Sequence, residues 1–296
     1  MKKIVIGSRG SDLALWQANF VKDELTALGC EVTIKIIKTQ GDIIQHLSFD
    51  KMEGKGFFTK EIEAALLDGS IDLAVHSHKD LETTSPKGLS IAAVSSREDP
   101  SELLLIRKEA VDIDQTWELK KNPVVGTSSG RRKSQVLKFR PDVTLKDLRG
   151  NVPTRVNKLR DGQYDAILLA RAGAKRLELD LSDLHQVVLD PTSFIPAPAQ
   201  GVLGLQIRSE DKSLAETLQK LNDSTIEQRI KIERKVLNLL DGGCQLPLGV
   251  YCPTDKIAHV AFARKWEDGA IFKTFDIQDK STIAQDIVGE LNELLG

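Results

Sequence analysis

Two stretches of the 296-residue chain repeat one pattern of strand, glycine, hydroxyl-rich turn and helix. The first is VIGSRGS at 5–11, and the second is VVGTSSG at 124–130. A further pair, DGSIDLAV at 68–75 and DGQYDAIL at 161–168, ends a helix and begins a strand in each copy. Alternating strands and helices favour a mainly parallel α/β sheet with ligands at the carboxyl ends of its strands. The repeat therefore predicts two α/β lobes of like topology.

The length of the chain and its Pro- and Gly-rich segments predict three domains, because one hydrophobic core rarely serves so many residues. The Pro- and Gly-rich segment PAPAQG predicts a hinge through which the chain returns to the first lobe. After it, a capping-box helix, alternating strands with an Asp268-Gly269 turn and a terminal helix predict a small α+β domain. The predicted domains are 1–96 with 194–216, then 99–191, and finally 222–296.

Composition narrows the class of protein. The net charge is −2, 41% of the residues are hydrophobic, and no apolar run approaches the length of a membrane span. Lys2 and Lys3 lead directly into a strand-like Ile4-Val5-Ile6, without the apolar stretch of a signal peptide. We therefore expect a cytoplasmic protein, monomeric, with neither nucleic acid nor membrane as partner. The three cysteines form no metal-type pair, as expected in a reducing compartment.

Positive charge is concentrated in the second lobe. Between Gly126 and Arg176 stand eight Arg and five Lys against four Asp. The hydroxyl-rich turn at 127–129 opens a helix that carries Arg131 and Arg132, and helix N-termini favour anions. A guanidinium suits a carboxylate or a phosphate.

A second helix start carries two more arginines. Arg149 precedes the Gly150-Asn151 pair and Arg155 follows it. With the arginines of the first helix start they predict four guanidiniums converging on one cleft. The alternative is a solvated basic face, to which we assign Arg140, Lys158 and Arg160.

The first lobe supplies polar residues at equivalent turns. Arg9 and Ser11 follow the first strand, and HSHKD at 76–80 follows the strand that begins near Ile71. Asp80 is a carboxylate among cations, which makes it a candidate for stabilising a cationic intermediate. The alternative is a plain salt bridge with Lys79 or Arg9. A metal site at the two histidines is not favoured, because no further ligand has a suitable spacing.

Cys244 differs from the other two cysteines in its surroundings. It lies between Gly242-Gly243 and Pro247, in a loop that another molecule can reach. Such a thiol suits a nucleophile or a covalent anchor, although a structural cysteine fits the residues equally well. Cys30 and Cys252 lie in strand-like segments and are predicted to be core thiols.

Several motifs, taken in order, resemble the porphobilinogen deaminase (hydroxymethylbilane synthase) family over nearly the whole chain. One motif alone is weak evidence, but their shared order is strong. They are SRGSDLALWQ at 8–17, GKGFFTKEIE at 54–63, DLAVHSHKDL at 72–81, GTSSGRR at 126–132, LRGNVPTR at 148–155, AGAKRL at 172–177, PAPAQG at 196–201 and GGCQLPLG at 242–249.

The resemblance implies a fold and an activity. The fold is α/β, with two lobes like those of periplasmic binding proteins and a small C-terminal α+β domain. Members of the family condense four porphobilinogen molecules head to tail, losing ammonia each time, and release the linear tetrapyrrole hydroxymethylbilane with water. A dipyrromethane cofactor primes the chain through a thioether, for which the resemblance implies Cys244.

The resemblance also implies roles for site residues. Asp80 would be the catalytic carboxylate, facing pyrrole N–H groups and stabilising the azafulvene that forms when ammonia leaves. Arginine, lysine and hydroxyl side chains would bind the acetate and propionate groups of cofactor and substrate. These binding residues are Arg9, Ser11, Ser77, Lys79, Thr127, Ser129, Arg131, Arg132, Arg149, Arg155 and Arg176.

Four positions depart from the family pattern without removing a charged functional group. They affect the expected rigidity of loops and the turnover rather than the reaction. The four are His78, Glu82, Gly130 and Ala199. From another class of function, a two-lobed anion-binding module would share the basic cleft but would need neither Asp80 nor Cys244.

Overall fold

The computed structural model describes residues 2–39, 59–241 and 246–295. It divides into two compact units, 1–98 with 201–228 and 99–200 with 229–296. The chain therefore passes from one unit to the other after Glu98, after Gln200 and after Gln228. The three-domain boundaries given above stay predictions.

Strands and helices alternate through most of the described chain. The strands are β1 (Lys3–Ser8), β2 (Glu31–Ile36), β3 (Leu73–Ser77), β4 (Leu89–Val94), β5 (Glu102–Ile106), β6 (Val124–Gly126), β7 (Thr144–Lys146), β8 (Ala166–Ala170), β9 (His185–Leu189), β10 (Leu203–Arg208), β11 (Leu248–Tyr251), β12 (Ile257–Phe262) and β13 (Ile271–Asp276). The α-helices are α1 (Asp12–Ala27), α2 (Lys60–Leu67), α3 (Gly130–Phe139), α4 (Val152–Arg160), α5 (Arg171–Arg176), α6 (Lys212–Leu218), α7 (Ser224–Leu239) and α8 (Ile283–Leu295).

The two five-stranded sheets have the same topology, which confirms the predicted repeat. Their strand orders are β2-β1-β3-β10-β4 and β7-β6-β8-β5-β9. The first three strands of each sheet run parallel, and the fourth lies antiparallel between its neighbours. The fold class, α/β with two like lobes, is confirmed. The expectation of mainly parallel sheets is also confirmed, because four of the five strands in each sheet run in one direction and only β10 and β5 run in the opposite one.

An aspartate makes the same contact in both lobes. The Asp72 carboxylate accepts a hydrogen bond from the Val5 amide at 2.9 Å, and Asp165 accepts one from the Val124 amide at 2.9 Å. Each carboxylate also has a cation beside it, Arg208 for Asp72 and Lys120 for Asp165. These contacts tie the central strands of each sheet together where the sequence repeats its DG…D pattern.

The C-terminal sheet packs on helix α3 within the second unit. Its order is β11-β12-β13, all antiparallel, with α7 and α8 contributing to its core. The amide of Ala270 donates to the carbonyl of Ser134 in α3 at 3.0 Å. The Phe139 and Phe272 rings lie 5.3 Å apart, centroid to centroid. The helix that carries Arg131 and Arg132 is thus packed against the C-terminal sheet.

The two described cysteines are core residues, as predicted. Cys30 packs in the core beside the first sheet, and Cys252 in the core of the C-terminal sheet. Among the described residues, no helix combines the length and the apolar character needed to cross a membrane.

Candidate functional site

The hydroxyl-rich turn after β6 begins helix α3. Gly126 ends the strand against Tyr164, whose ring would lie 2.7 Å from a Cβ at this position, so a larger residue would clash. Ser129 is the N-cap of α3 and accepts from the Arg132 amide. The Thr127 amide donates to the Lys146 carbonyl at 2.9 Å, and its side chain is buried. The turn is therefore fixed by the neighbouring strand β7 and by the helix α3 that it begins.

A serine brings the second arginine-bearing loop beside this turn. The Ser128 hydroxyl accepts from the Leu148 amide at 3.0 Å and lies 3.0 Å from the Leu148 carbonyl, to which it donates. Leu148 immediately precedes Arg149. The N-terminal ends of α3 and α4, predicted to bind anions, are thus neighbours in the second lobe.

The loop that carries Arg149 turns sharply into α4. Gly150 has a φ of +116°, and Asn151 caps the helix by accepting from the Thr154 amide at 2.9 Å. Arg155 folds back, its Nε donating to the Gly150 carbonyl at 2.7 Å. Arg149 and Arg155 are both half-buried.

Arg131 and Arg132 converge on one buried carboxylate, Glu102. Arg131 Nη2 donates to Glu102 Oε1 at 2.6 Å, while Arg132 donates to Oε2 from Nη2 at 2.7 Å and from Nε at 3.0 Å. Each arginine also donates to a main-chain carbonyl, Arg131 to Ile195 and Arg132 to Leu168. Glu102 is 0% exposed, and the arginines are 5% and 6% exposed. Burial is the main cause that lowers the pKa of Arg131 from its ordinary value.

The prediction that Arg140, Lys158 and Arg160 form a solvated basic face is partly wrong. Arg140 is buried and donates to the carbonyls of Thr116, Leu119 and Lys120 as well as to Asp142. Its guanidinium donates to three main-chain carbonyls of the segment 116–120, a role that composition does not reveal.

The other two residues assigned to that face behave differently. Arg160 is exposed and pairs with Asp183. Lys158 is half-buried and donates to the Arg149 carbonyl at 3.0 Å. Arg176, which ends α5, is buried.

In the first lobe, the predicted polar residues lie at the carboxyl ends of β1 and β3. Ser11 caps α1 by accepting from the Ala14 amide, and Arg9 beside it is half-buried. The Ser77 hydroxyl accepts from Gln17 Nε2 at 2.9 Å. After Ser77, a short 3₁₀ turn spans 78–80. Within it Lys79 is half-buried, whereas Asp80 is exposed and so open to a ligand.

A buried polar chain lies behind this turn. His76 Nε2 is 2.9 Å from Gln206 Oε1, and Gln206 Nε2 donates to Glu63 Oε1 at 3.1 Å. Burial lowers the pKa of His76 to about 4, so the ring is neutral near pH 7. In the described part of the chain, no cluster of three or more His, Cys, Asp or Glu side chains is arranged to hold a metal ion.

Cys244 lies outside the described residues, as does the 54–58 part of the GKGFFTKEIE motif. The chain is described again from Leu246, just before β11. The sequence interpretation missed Glu233, which is buried on α7. Its carboxylate accepts from the Ala199 amide at 2.7 Å and from the Cys252 amide at 2.9 Å. It thereby joins the PAPAQG segment to the C-terminal sheet.

Glu102 was also missed, although its sequence carries a signal. It is the one acidic residue at the head of the otherwise apolar run Leu103 to Ile106. A charge at the start of a buried strand requires a partner. The sequence does not say which cations supply it.

Comparison with known proteins gives consistent matches. Residues 4–216 match the family model described as "Porphobilinogen deaminase, dipyromethane cofactor binding domain". The chain is 47% identical over 253 residues to a porphobilinogen deaminase of Maridesulfovibrio salexigens, covering 85% of this chain and 80% of the relative. It is 44% identical over 253 residues to one of Bacillus cereus, with the same coverage. It also aligns with a solved ancestral cationic amino acid solute binding protein at a TM-score of 0.44 and 16% identity, covering 81% and 93% of the two chains.

Proposed function

Because the chain belongs to the porphobilinogen deaminase family, we propose that it joins four porphobilinogen molecules head to tail, releasing ammonia at each step and finally hydroxymethylbilane. The enzyme serves tetrapyrrole biosynthesis. The observation that carries this function is the family match over residues 4–216, which contains both arginine-bearing loops and the HSHKD turn.

The charge of the second lobe supports binding of the substrate through its carboxylates. Porphobilinogen carries an acetate and a propionate, so a growing chain of pyrroles accumulates negative charge. Two adjacent helix N-termini and several guanidiniums attract such groups, and the guanidinium bonds are directional. We assign this binding to Arg131, Arg132, Arg149, Arg155 and Arg176, with Thr127 and Ser129, and in the first lobe to Arg9, Ser11, Ser77 and Lys79.

The donor set around Glu102 fits the dipyrromethane cofactor of the family, which also bears carboxylates. Arg131 and Arg132 carry two positive charges against the single carboxylate of Glu102. Within the described residues, Arg131 makes two hydrogen bonds through its guanidinium and Arg132 three. A guanidinium has five N–H donors, so both have capacity for a further acceptor. When bound, the cofactor supplies a covalently held pyrrole end onto which the next pyrrole is joined.

Cys244 is our proposed attachment residue for that cofactor. Cys30 and Cys252 are buried in cores and are poorly suited to covalent attachment. The family motif GGCQLPLG contains Cys244, and a thioether needs a thiol that another molecule can approach.

Asp80 is our proposed catalytic carboxylate. Its exposed position at the carboxyl end of β3 is where ligand sites form in α/β sheets. As ammonia leaves porphobilinogen, positive charge develops on the remaining pyrrole. A fixed carboxylate next to that charge stabilises the transition state.

Intact mass measurement of the purified protein tests the proposal. We expect a mass above that of the polypeptide by one dipyrromethane and a pyrrole colour reaction with an aldehyde reagent. Cys244→Ala should fold with the mass of the bare chain, while Cys30→Ala should keep the adduct. An adduct of unchanged mass on Cys244→Ala would exclude this attachment residue. A bare wild-type chain that binds polycarboxylates without turning over porphobilinogen would instead indicate an anion-binding module.

A further inference from the structure

The arginine pair of the second lobe is organised by a carboxylate to which the motifs above assign no role. Glu102 begins β5, a strand whose other residues are all buried and apolar. Moving a carboxylate from water to such a place costs several kcal/mol unless cations and hydrogen bonds compensate. The buried position of Glu102 therefore requires neighbouring cations and hydrogen-bond donors.

The side chains of Arg131, Arg132 and Gln200 donate to the Glu102 carboxylate. Oε1 accepts from Arg131 and, at 3.1 Å, from Gln200 Nε2, while Oε2 accepts both bonds from Arg132. Gln200 also donates to the Pro100 carbonyl at 2.8 Å. The carboxylate thus fixes the two guanidiniums relative to each other and to the PAPAQG segment, all within the second unit.

The charges in this cluster do not cancel. Among the described residues, two guanidiniums face the one carboxylate of Glu102. Together these three groups carry one net positive charge beside the N-terminus of α3, a favourable place for an anion. One arginine already balances the charge of Glu102, so the second adds a positive charge. This extra positive charge and the remaining N–H donors of Arg131 and Arg132 can bind an anionic ligand.

We propose that Glu102 is a positioning residue for substrate binding: it holds Arg131 and Arg132 in the orientation in which their remaining donors take a pyrrole carboxylate. This inference rests on the proposed function. Glu102 does not touch the reacting atoms, so it contributes to binding rather than to the chemical step. An interaction made equally with substrate and transition state changes KM and leaves kcat nearly unaltered.

Two substitutions separate the charge of Glu102 from its shape. Glu102→Gln keeps the shape and removes the charge, whereas Glu102→Asp keeps the charge on a shorter side chain. The control is Glu109→Gln in the same lobe, because the Glu109 side chain is 72% exposed and pairs only at the surface with Arg107. We expect Glu102→Gln to raise KM for porphobilinogen about tenfold or more, the effect of losing a charged hydrogen bond. The value of kcat should stay within about threefold, and Glu102→Asp should fall between wild type and Glu102→Gln.

A second measurement does not depend on turnover. Without Glu102 the two guanidiniums lack a shared counter-charge, so sulfate should bind between them. Sodium sulfate, compared with sodium chloride at equal ionic strength, should therefore raise the thermal midpoint of Glu102→Gln more than that of wild type or Glu109→Gln. A side chain needed only for packing would leave this sulfate response unchanged.

The outcomes are distinguishable. An unchanged KM and an unchanged sulfate response in folded Glu102→Gln overturn the positioning role. If Glu102→Gln does not fold, Glu102→Asp decides the question, since a KM equal to that of wild type contradicts the role. If wild type itself does not turn over porphobilinogen, the proposed function fails, and the sulfate response still tests how Glu102 organises the arginines.

Discussion

His76 should make the first unit less stable in mild acid. Its ring is buried and its pKa is lowered from the ordinary 6.5 to about 4, with burial as the main cause. Between these two values the unfolded state binds a proton that the folded state does not. The stabilisation that comes from keeping the His76 ring neutral is therefore complete above pH 6.5 and is lost as the pH falls toward 4.

The magnitude follows from the size of the shift. About 1.5 pH units separate the unfolded pKa from pH 5, and each unit corresponds to about 1.4 kcal/mol. Lowering the pH from 7 to 5 should thus remove about 2 kcal/mol from the free energy of unfolding. His76→Gln keeps an amide N–H for the Gln206 carbonyl oxygen and has no charge to gain, so it should lack this part of the pH dependence.

Urea titrations at pH 7 and pH 5 measure the difference, with hydrogen-exchange protection of β1 and β3 peptides reporting on the first unit. The other histidines are present in both proteins and cancel in the comparison. The reasoning is refuted if wild type and His76→Gln lose the same free energy between the two pH values.

Three further predictions concern the site and the crossing between units. Asp80→Asn should fold with a thermal stability within about 1 kcal/mol of wild type, but its rate of tetrapyrrole formation should fall about a hundredfold or more. Retention of more than about a tenth of the activity would contradict the catalytic role of Asp80. Arg149→Leu should lower kcat/KM about tenfold to a hundredfold, whereas Arg160→Leu, at an exposed ion pair, should stay near wild type; equal losses would place the substrate elsewhere. In denaturant titrations, Gly201→Ala should destabilise the first unit more than Gly69→Ala. Both glycines have positive φ, but a Cβ at Gly201 would lie 2.2 Å from a main-chain oxygen, whereas one at Gly69 would meet open space. Equal losses of stability would refute the clash.

Arg131 is a poorer test of substrate binding than Arg149. Its guanidinium contacts Glu102 and the Ile195 carbonyl, so its removal changes the packing of the second unit as well as the charge of the site. The family resemblance assigns Arg131 to the carboxylates of cofactor and substrate. In the structure Arg131 also contacts an internal carboxylate, that of Glu102.

The lobes were predictable because local signals and the fold agree. The repeated strand, turn and helix pattern predicts two like sheets, and Asp268-Gly269 predicts the turn between β12 and β13, where Gly269 has a φ of +73°. The direction of β5 and β10 was not predictable, since hydrophobic periodicity gives a strand but not the way it runs.

The site was predictable in kind but not in its contacts. Hydroxyl side chains just before a helix and arginines in its first turn predict an anion-binding site from local sequence alone. The partners of buried charges come from distant parts of the chain: Glu102 lies 30 residues before Arg132 in sequence, and Arg140 binds carbonyls 20 to 24 residues away. Spacing along the chain carries no information about such contacts.

The stoichiometry of the reaction tests the central claim most directly. Purified protein is incubated with porphobilinogen while ammonia and linear tetrapyrrole are both quantified. A head-to-tail polymerising deaminase of this family should release four ammonia molecules for each hydroxymethylbilane once its cofactor is in place. Binding of porphobilinogen without ammonia release, or ammonia release without a linear tetrapyrrole, would contradict the account.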